Sequence, residues 1–262
     1  MDIHIAPLTS RACIAVTGPD ARPFLHNLLT QDVETLTPGT LRFAALLSPP
    51  GRLLFDLFIL GLEDGVLLDV AEDRREALIQ RLTMYRLRAR VEITADDRPV
   101  LACWPDLAEG FTADPRLAAL GGRTYGPAAV TTATETDHDR HRLSVGVPDP
   151  ARDMAVDRTY PIEANFDLLN GIDFSKGCFV GQETASRMKR RGEIKKRMLP
   201  LDLSGTAPAL GTEVLNGDRR AGEVMTGHQD RVIALMRLDR ADGALTVDGQ
   251  PVTLNWPDWM AR

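Results

Sequence analysis

Residues 41–70, LRFAALLSPPGRLLFDLFILGLEDGVLLDV, hold three apolar runs cut by two short turns. The first turn centres on Pro-Pro-Gly and the second on Glu-Asp-Gly. Short runs rich in Leu, Phe and Val, bounded in this way, read as strand, turn, strand, turn, strand. The segment is therefore an antiparallel meander, and a fold that contains it is held together by hairpins rather than by crossover helices.

The flanking segments agree with an α+β class. RACIAVTG (11–18) reads as a strand. In residues 19–33, Phe24, Leu25, Leu28 and Leu29 fall on one helical face, with Asp20 as the expected cap. Leu78, Leu82 and Tyr85 mark a second amphipathic helix within 72–87, and strands are expected at 88–94 and 99–105. Residues 106–140 carry the weakest pattern; TDHDRHR, with His138 and His141, reads as a polar loop. HRLSVGVP (141–148) reads as a strand, and PIEANFDLLN (161–170) as the start of a helix with Pro161 and Glu163 in its first turn. Past Arg197, short apolar runs alternate with Gly- or Asp-centred turns about every ten residues, as in a small β-barrel. A boundary is placed near residue 198, giving regions 1–197 and 198–262. Neither glycine signature of a Rossmann or P-loop fold occurs.

With 44% apolar and 26% charged residues, the 262-residue chain has ordinary globular composition. Aromatics are only 5%, so the core must rest on Leu, Val, Ile and Ala. A net charge of −6 gives no support to bulk nucleic-acid binding. Three widely spaced cysteines, Cys13, Cys103 and Cys178, signal neither a disulfide framework nor a zinc site, and no metal ligand set is assigned. No apolar stretch has the length that spans a bilayer, and the N-terminus lacks the order of a secretory signal. Free thiols then point to a reducing, cytoplasmic location.

The chemistry concentrates in KGCFVGQE (176–183). Gly177 and Gly181 allow positive φ or close approach of a ligand. A helix starting at Gln182 would turn its first-turn amides toward anions. With Lys176 two residues away, the Cys178 thiolate would be stabilised. The same residues also fit a small buried cysteine in a tight turn, with Gln182 and Glu183 capping the helix. From Arg187 to Arg197 follow seven basic residues against Glu193 alone, a local charge of +6 on a chain whose remainder sums to −12. Such a run is either a solvated face or an edge for an anionic partner. Glu163 is either a helix-start device or an acceptor for a heterocycle with two adjacent N–H donors.

KGCFVGQE resembles the K-G-C-aromatic-x-G-Q-E signature of the YgfZ family, folate-dependent proteins that support iron–sulfur cluster assembly or repair. FLHNLLTQDV (24–33), PPGRLLFDLFI (49–59), YRLRARVEI (85–93) and PIEANFDLLNGIDFSKGCFVGQE (161–183) extend the resemblance over most of the chain. It implies the fold of the glycine cleavage T-protein: lobes in a ring around a central folate-binding opening, with a C-terminal β-barrel. Within 1–197 it implies two intertwined lobes, the second roughly 51–140. It makes Glu163 the acceptor for the pterin of tetrahydrofolate, with Asn165, Gly177, Phe179, Gln182, Glu183 and Arg187 around the cofactor. Lys176 and Cys178 become the catalytic candidates, facing the cofactor or a partner's sulfur or cluster, and Arg187, Lys189, Arg190 and Arg191 a docking edge. Phe179 stands where tyrosine is frequent, which removes a hydroxyl. LLDVAEDR (67–74) lacks the Asn-Ala segment of the T-protein. The implied function is a folate-binding factor for iron–sulfur client or assembly proteins, with tRNA modification affected only indirectly. The alternative is a folate-dependent aminomethyl- or methyl-transferring enzyme. No direct nucleic-acid or membrane partner is expected.

Overall fold

The computed structural model describes residues 2–126, 130–153, 156–192 and 194–260. In chain order the first part runs β1 (His4–Pro7), β2 (Arg11–Thr17), α1 (Ala21–Leu28), β3 (Leu41–Leu47), β4 (Leu53–Leu62), β5 (Gly65–Ala71), α2 (Arg75–Arg86) and β6 (Glu92–Asp96). It continues with β7 (Val100–Trp104), β8 (Thr112–Ala113), β9 (Gly122–Tyr125), α3 (Glu135–Val145), α4 (Pro150–Asp153) and α5 (Gln182–Arg191). The last part is all strand: β10 (Lys196–Leu203), β11 (Glu213–Asn216), β12 (Arg219–His228), β13 (Arg231–Arg237), β14 (Leu245–Val247) and β15 (Gln250–Leu254).

The meander forms as its pattern requires. β3, β4 and β5 pair antiparallel, and β2 and β6 extend them into a five-stranded sheet of order β3-β4-β5-β2-β6. The central strands β4 and β5 are largely apolar because both faces are covered, whereas the edge strand β6 is mostly exposed and carries Glu92 and Asp96. On one side Leu25 and Leu28 of α1 and Leu78 and Leu82 of α2 pack on Ile14, Leu57, Ile59, Val66 and Leu68. On the other, Phe43 and Phe58 meet Ile162 and Phe166, and Cys13 and Leu67 meet Val100 and Ala102 of a second sheet, β1-β7-β9-β8. Full burial of each such Leu or Phe stabilises by roughly 1.5–3 kcal/mol. The final six strands close into a barrel of order β10-β13-β12-β11-β14-β15 around Leu199, Leu201, Val224, Val232 and Met236. The architecture is α+β: two sheets with their covering helices, followed by a closed six-stranded C-terminal barrel.

Four local expectations fail, each for a definable reason. Residues 141–148 are not a strand, and TDHDRHR is not a loop: both belong to α3 and its end. Thr134 accepts from the Asp137 amide and Asp137 returns the bond, a capping box that starts the helix. Residues 161–170 are consecutive turns rather than a helix. Asn165 at φ 62 and Asn170 at φ 54 take the left-handed conformation that stops helix propagation. Asp20 makes no side-chain cap on α1; its carboxylate instead binds the Arg90 guanidinium and amide at 2.8–3.0 Å.

Candidate functional site

The KGCFVGQE loop is held from beneath. Asp173 Oδ1 accepts from the amides of Ser175 and Lys176 at 2.8 and 3.2 Å and from the Ser175 hydroxyl at 2.6 Å, folding the approach into a tight turn. The Lys176 ammonium then reaches back to the end of α1 and donates to the carbonyls of His26, Leu29 (2.7 Å) and Gln31 (3.1 Å). A cation is favoured there, because helix C-termini present unpaired carbonyls and partial negative charge. Burial pushes the Lys176 pKa down to about 8, opposed by Asp32, Asp173 and Glu34. It therefore remains charged at neutral pH. The expected pairing of Lys176 with the Cys178 thiolate is replaced: the ammonium's three donors go to three backbone carbonyls.

Phe179 points inward, buried with Leu47, Leu53, Met198 and Ala185, and the Lys176 ammonium lies 5.2 Å from its ring centroid. A tyrosine hydroxyl would have to find a partner there, so phenylalanine suits the packing. Instead of lining a cofactor, Phe179 belongs to the core. Gly181, at φ 80, is the N-cap of α5. A Cβ on it would stand 2.7 Å from the Ser48 carbonyl and 2.8 Å from the Gly51 Cα. Gly51 sits in the β3–β4 turn at φ 84, and a Cβ there would stand 2.9 Å from the Gly181 carbonyl. The motif loop and the Pro-Pro-Gly turn thus touch backbone to backbone. Gly177 differs: its φ lies outside the positive region and an added Cβ would meet nothing within 4 Å. Beside it, Cys178 is exposed, whereas Cys13 and Cys103 are buried.

The same turn reaches the second candidate. Arg52 follows Gly51, donates to the Asp157 carbonyl at 3.1 Å and lies 5.6 Å from the Tyr160 ring centroid. The half-buried Glu163 takes the Tyr160 amide on Oε2 at 3.0 Å. Burial raises its pKa, against the Tyr160 hydrogen bond and the charges of Lys196 and Arg52. Its other oxygen, Oε1, has no hydrogen-bond partner among the described residues. Asn165 does not stand free beside it. Fully buried, its Nδ2 donates to the Met198 carbonyl at 2.8 Å and its Oδ1 accepts from Arg197 at 3.1 Å. The expected cofactor contact is thus a bracket between the 161–170 turns and β10.

Arg197 leaves the basic run in the same way. Its guanidinium is buried against Asp167 in two bonds of 2.9 Å and also donates to the Ile162 carbonyl at 3.0 Å. What remains outward on α5 is Glu183, Arg187, Lys189 and Arg190. Lys189 lies 4.3 Å from the Phe174 ring centroid, and Arg187 has no acidic partner among the described residues. Gln182 is half-buried at the helix start, its amide donating to Phe179 O at 3.2 Å rather than its side chain capping. The side chain of Arg191 and residue 193 lie outside the described residues. The structure thus leaves Gly177, Cys178 and the α5 cations Arg187, Lys189 and Arg190 exposed, and builds Lys176, Phe179, Asn165 and Arg197 into the fold.

Sequence reasoning missed a buried polar cluster. Arg11 donates to Asp69 (2.6 Å) and Asp56 (3.0 Å); Arg123 donates to Asp69 (3.0 Å), and Arg116 to Asp114 at 2.8–3.0 Å. The guanidiniums of Arg11, Arg116 and Arg123 surround the Phe58 ring at 5.6, 4.8 and 3.8 Å. Burial raises the Asp56 pKa, and Asp114 falls to about 2 because the two arginine charges overcome its burial. The hollow beside them is about 40 Å³, room for a few waters. Its signal was visible: Asp56 and Asp69 interrupt strands that are otherwise apolar.

Residues 195–262 match the family model described as the CAF17 C-terminal β-barrel domain. The chain is 31% identical to the mitochondrial iron–sulfur cluster assembly factor IBA57 of Mus musculus, over 96% of this chain and 84% of that protein. The Homo sapiens protein of the same name matches equally, at 31% over the same shares. Among solved structures, the glycine cleavage system aminomethyltransferase T of Bartonella henselae superposes with a TM-score of 0.79, covering 98% of this chain and 86% of that one at 16% identity. That likeness carries the fold. The relatives' identity and coverage carry the kinship: the chain belongs to the family of iron–sulfur cluster assembly factors IBA57.

Proposed function

We propose that this protein supports iron–sulfur cluster assembly in client proteins by presenting Cys178 from a clamped loop, and that it binds a reduced folate at Glu163. The observation that carries the reading is a contrast within one motif. Lys176, Phe179 and Gly181 are each consumed by the fold, whereas Gly177 and Cys178 face outward and satisfy no packing need. A thiol exposed on a clamped loop, just ahead of a helix that exposes the cations Arg187, Lys189 and Arg190, is suited to meet a partner's sulfur or cluster. The resemblance of KGCFVGQE to the YgfZ signature supports the same assignment. A single exposed cysteine without thiol neighbours does not hold a cluster alone, so the partner supplies the remaining ligands.

For folate, the donor set fits at Glu163. A half-buried carboxylate with one oxygen uncommitted can accept an N–H pair from a pterin or guanine-like edge, and Arg52 and Lys196 offer charge to an anionic tail. A bound tetrahydrofolate would supply one-carbon or reducing chemistry; the chain's own part is to accept the ring's donors at Glu163 and to hold the Tyr160 turn. Asn165 and Phe179 act behind this face as supports.

Two measurements separate the parts. Calorimetry with tetrahydrofolate is expected to show saturable heat that Glu163→Gln weakens at least tenfold, as loss of a charge-assisted pair would. Absence of heat in the wild type removes the folate assignment alone. Cys178→Ala, in cells lacking the wild-type gene, is expected to fold normally yet leave [4Fe–4S] enzyme activities depressed. Full restoration by that variant removes the cysteine assignment.

A further inference from the structure

At the end of α2 the chain makes a tight turn with a residue that does not suit it. The Ala89 amide donates to the Arg86 carbonyl at 2.8 Å, and Leu87 between them has φ 46 and ψ −105. These angles match the first central position of a type II′ turn, which glycine fills because a Cβ there is strained. The fold gains no packing from leucine at this point: Leu87 is 88% exposed, and Met84, one helical turn earlier, is 65% exposed. The base of the turn is nonetheless fixed. Asp20 binds the amide and guanidinium of Arg90, and a Cβ on Gly18 would stand 2.5 Å from the Arg90 carbonyl. A strained turn on a firm base thus holds an apolar side chain out in solvent.

Charge of one sign flanks this knob, and charge of the other lies next to it. Arg86 and Arg88 are exposed, and their side chains make no hydrogen bond or ion pair among the described residues. With Glu92 they line a hollow of about 410 Å³ that Thr17 and Gly18 also line. The same two residues line a second hollow, of about 750 Å³, bordered by Glu34, Glu63 and Asp64. Those three residues are exposed, and their carboxylates make no hydrogen bond or ion pair among the described residues. Arg22, the one cation lining that hollow, donates to the Leu62 carbonyl at 2.6 Å. A basic knob with an apolar tip and an acidic hollow thus adjoin across Thr17 and Gly18.

We propose that this face pairs two copies of the chain, the Leu87 knob of each entering the acidic hollow of the other. A two-fold axis near Thr17 and Gly18 makes both contacts at once and closes the assembly at a dimer. Arg86 and Arg88 of one copy meet Glu34, Glu63 and Asp64 of the other, which fixes the register and weakens with salt. Leu87 and Met84 leave water in the same step. The neighbouring edge strand β6 offers no rival pairing. Two such strands meeting antiparallel about Thr94 would set Glu92 opposite Asp96, like charge against like charge. The surface contains neither Cys178 nor Glu163, so the inference stands apart from the function proposed above.

The test is sedimentation equilibrium of the full-length chain over a wide concentration range, at low and at high salt. A monomer–dimer equilibrium that added salt weakens is expected. Leu87→Gly should weaken it about tenfold, as loss of one buried leucine would, while the denaturant midpoint stays at or above the parent's because the turn is relieved. Charge reversal gives the decisive arm. A chain carrying Arg86→Glu and Arg88→Glu should be monomeric alone, and so should one carrying Glu63→Lys and Asp64→Lys. Mixed, the two should pair again, because each knob then meets a hollow of opposite sign. All four positions are exposed, so the variants keep the fold. A dimer that the reversals leave intact, or variants that stay apart when mixed, overturns the inference. So does a wild-type chain that is monomeric at every concentration. In that event Leu87-dependent flotation with phosphatidylglycerol vesicles would assign the knob to an anionic lipid surface, and no flotation would assign it to a different protein.

Discussion

At the scale of single residues, Lys176 shows how a charge can be structural at a place where chemistry was expected. Lys176→Met would leave three carbonyls at the end of α1 without their donor. The expected loss is about 2 kcal/mol, read as a lowered denaturant midpoint at unchanged slope. The two motif glycines should part company. Gly181→Ala forces a side chain into positive φ and into the Ser48 carbonyl, costing about 1–3 kcal/mol. Gly177→Ala meets open space and should stay within about 0.5 kcal/mol of the parent. If Gly177→Ala nonetheless fails to restore [4Fe–4S] enzymes in cells, glycine is needed there for the approach of a partner. A destabilised Gly177→Ala protein would instead return that residue to the fold.

Among elements, α3 carries a titration of its own. His138 is buried on it, edge-on to Trp104 at 5.4 Å, and faces Arg123, Arg116, Asp114 and Arg142. Burial, reinforced by the arginine charges, holds its pKa down at about 3, against 6.5 when free. The unfolded chain therefore binds a proton that the folded one refuses between those values. Stability from this group is complete above pH 6.5 and falls as the pH drops toward 3, with a slope approaching about 1.4 kcal/mol per pH unit. His138→Gln should flatten that part of the stability–pH curve, whatever it does to stability at pH 8. An unchanged acid slope would mean the imidazole titrates freely. The sequence made β2 to β5 and both early helices legible, because their apolar spacing and turn residues act locally. It misled at α3, where a Thr134–Asp137 capping box and a Pro148 stop outweighed a sparse apolar pattern. It misled again at 161–170, where two left-handed asparagines override helical spacing. Within the site, local spacing could mark Cys178 and Glu163 as candidates. It could not show that Lys176 turns to α1, or that Asn165 turns to β10, because those partners lie 33 to 150 residues away.

Over the whole molecule, the barrel and the body are joined by Arg197, whose guanidinium ties the start of β10 to Ile162, Asn165 and Asp167. Arg197→Met would leave the buried Asp167 carboxylate uncompensated, and a loss of about 3–5 kcal/mol is expected in thermal unfolding. A double variant that also carries Asp167→Leu should recover part of it; no recovery would locate the cost elsewhere than in the pair. The backbone meeting of Gly51 and Gly181 has a further consequence. Positions 130 residues apart occupy a single gap between them, so the first methyl group introduced at either one already pushes the hairpin away from the motif. The second then enters ground that has been cleared, and the penalties of Gly51→Ala and Gly181→Ala combined should fall short of their sum.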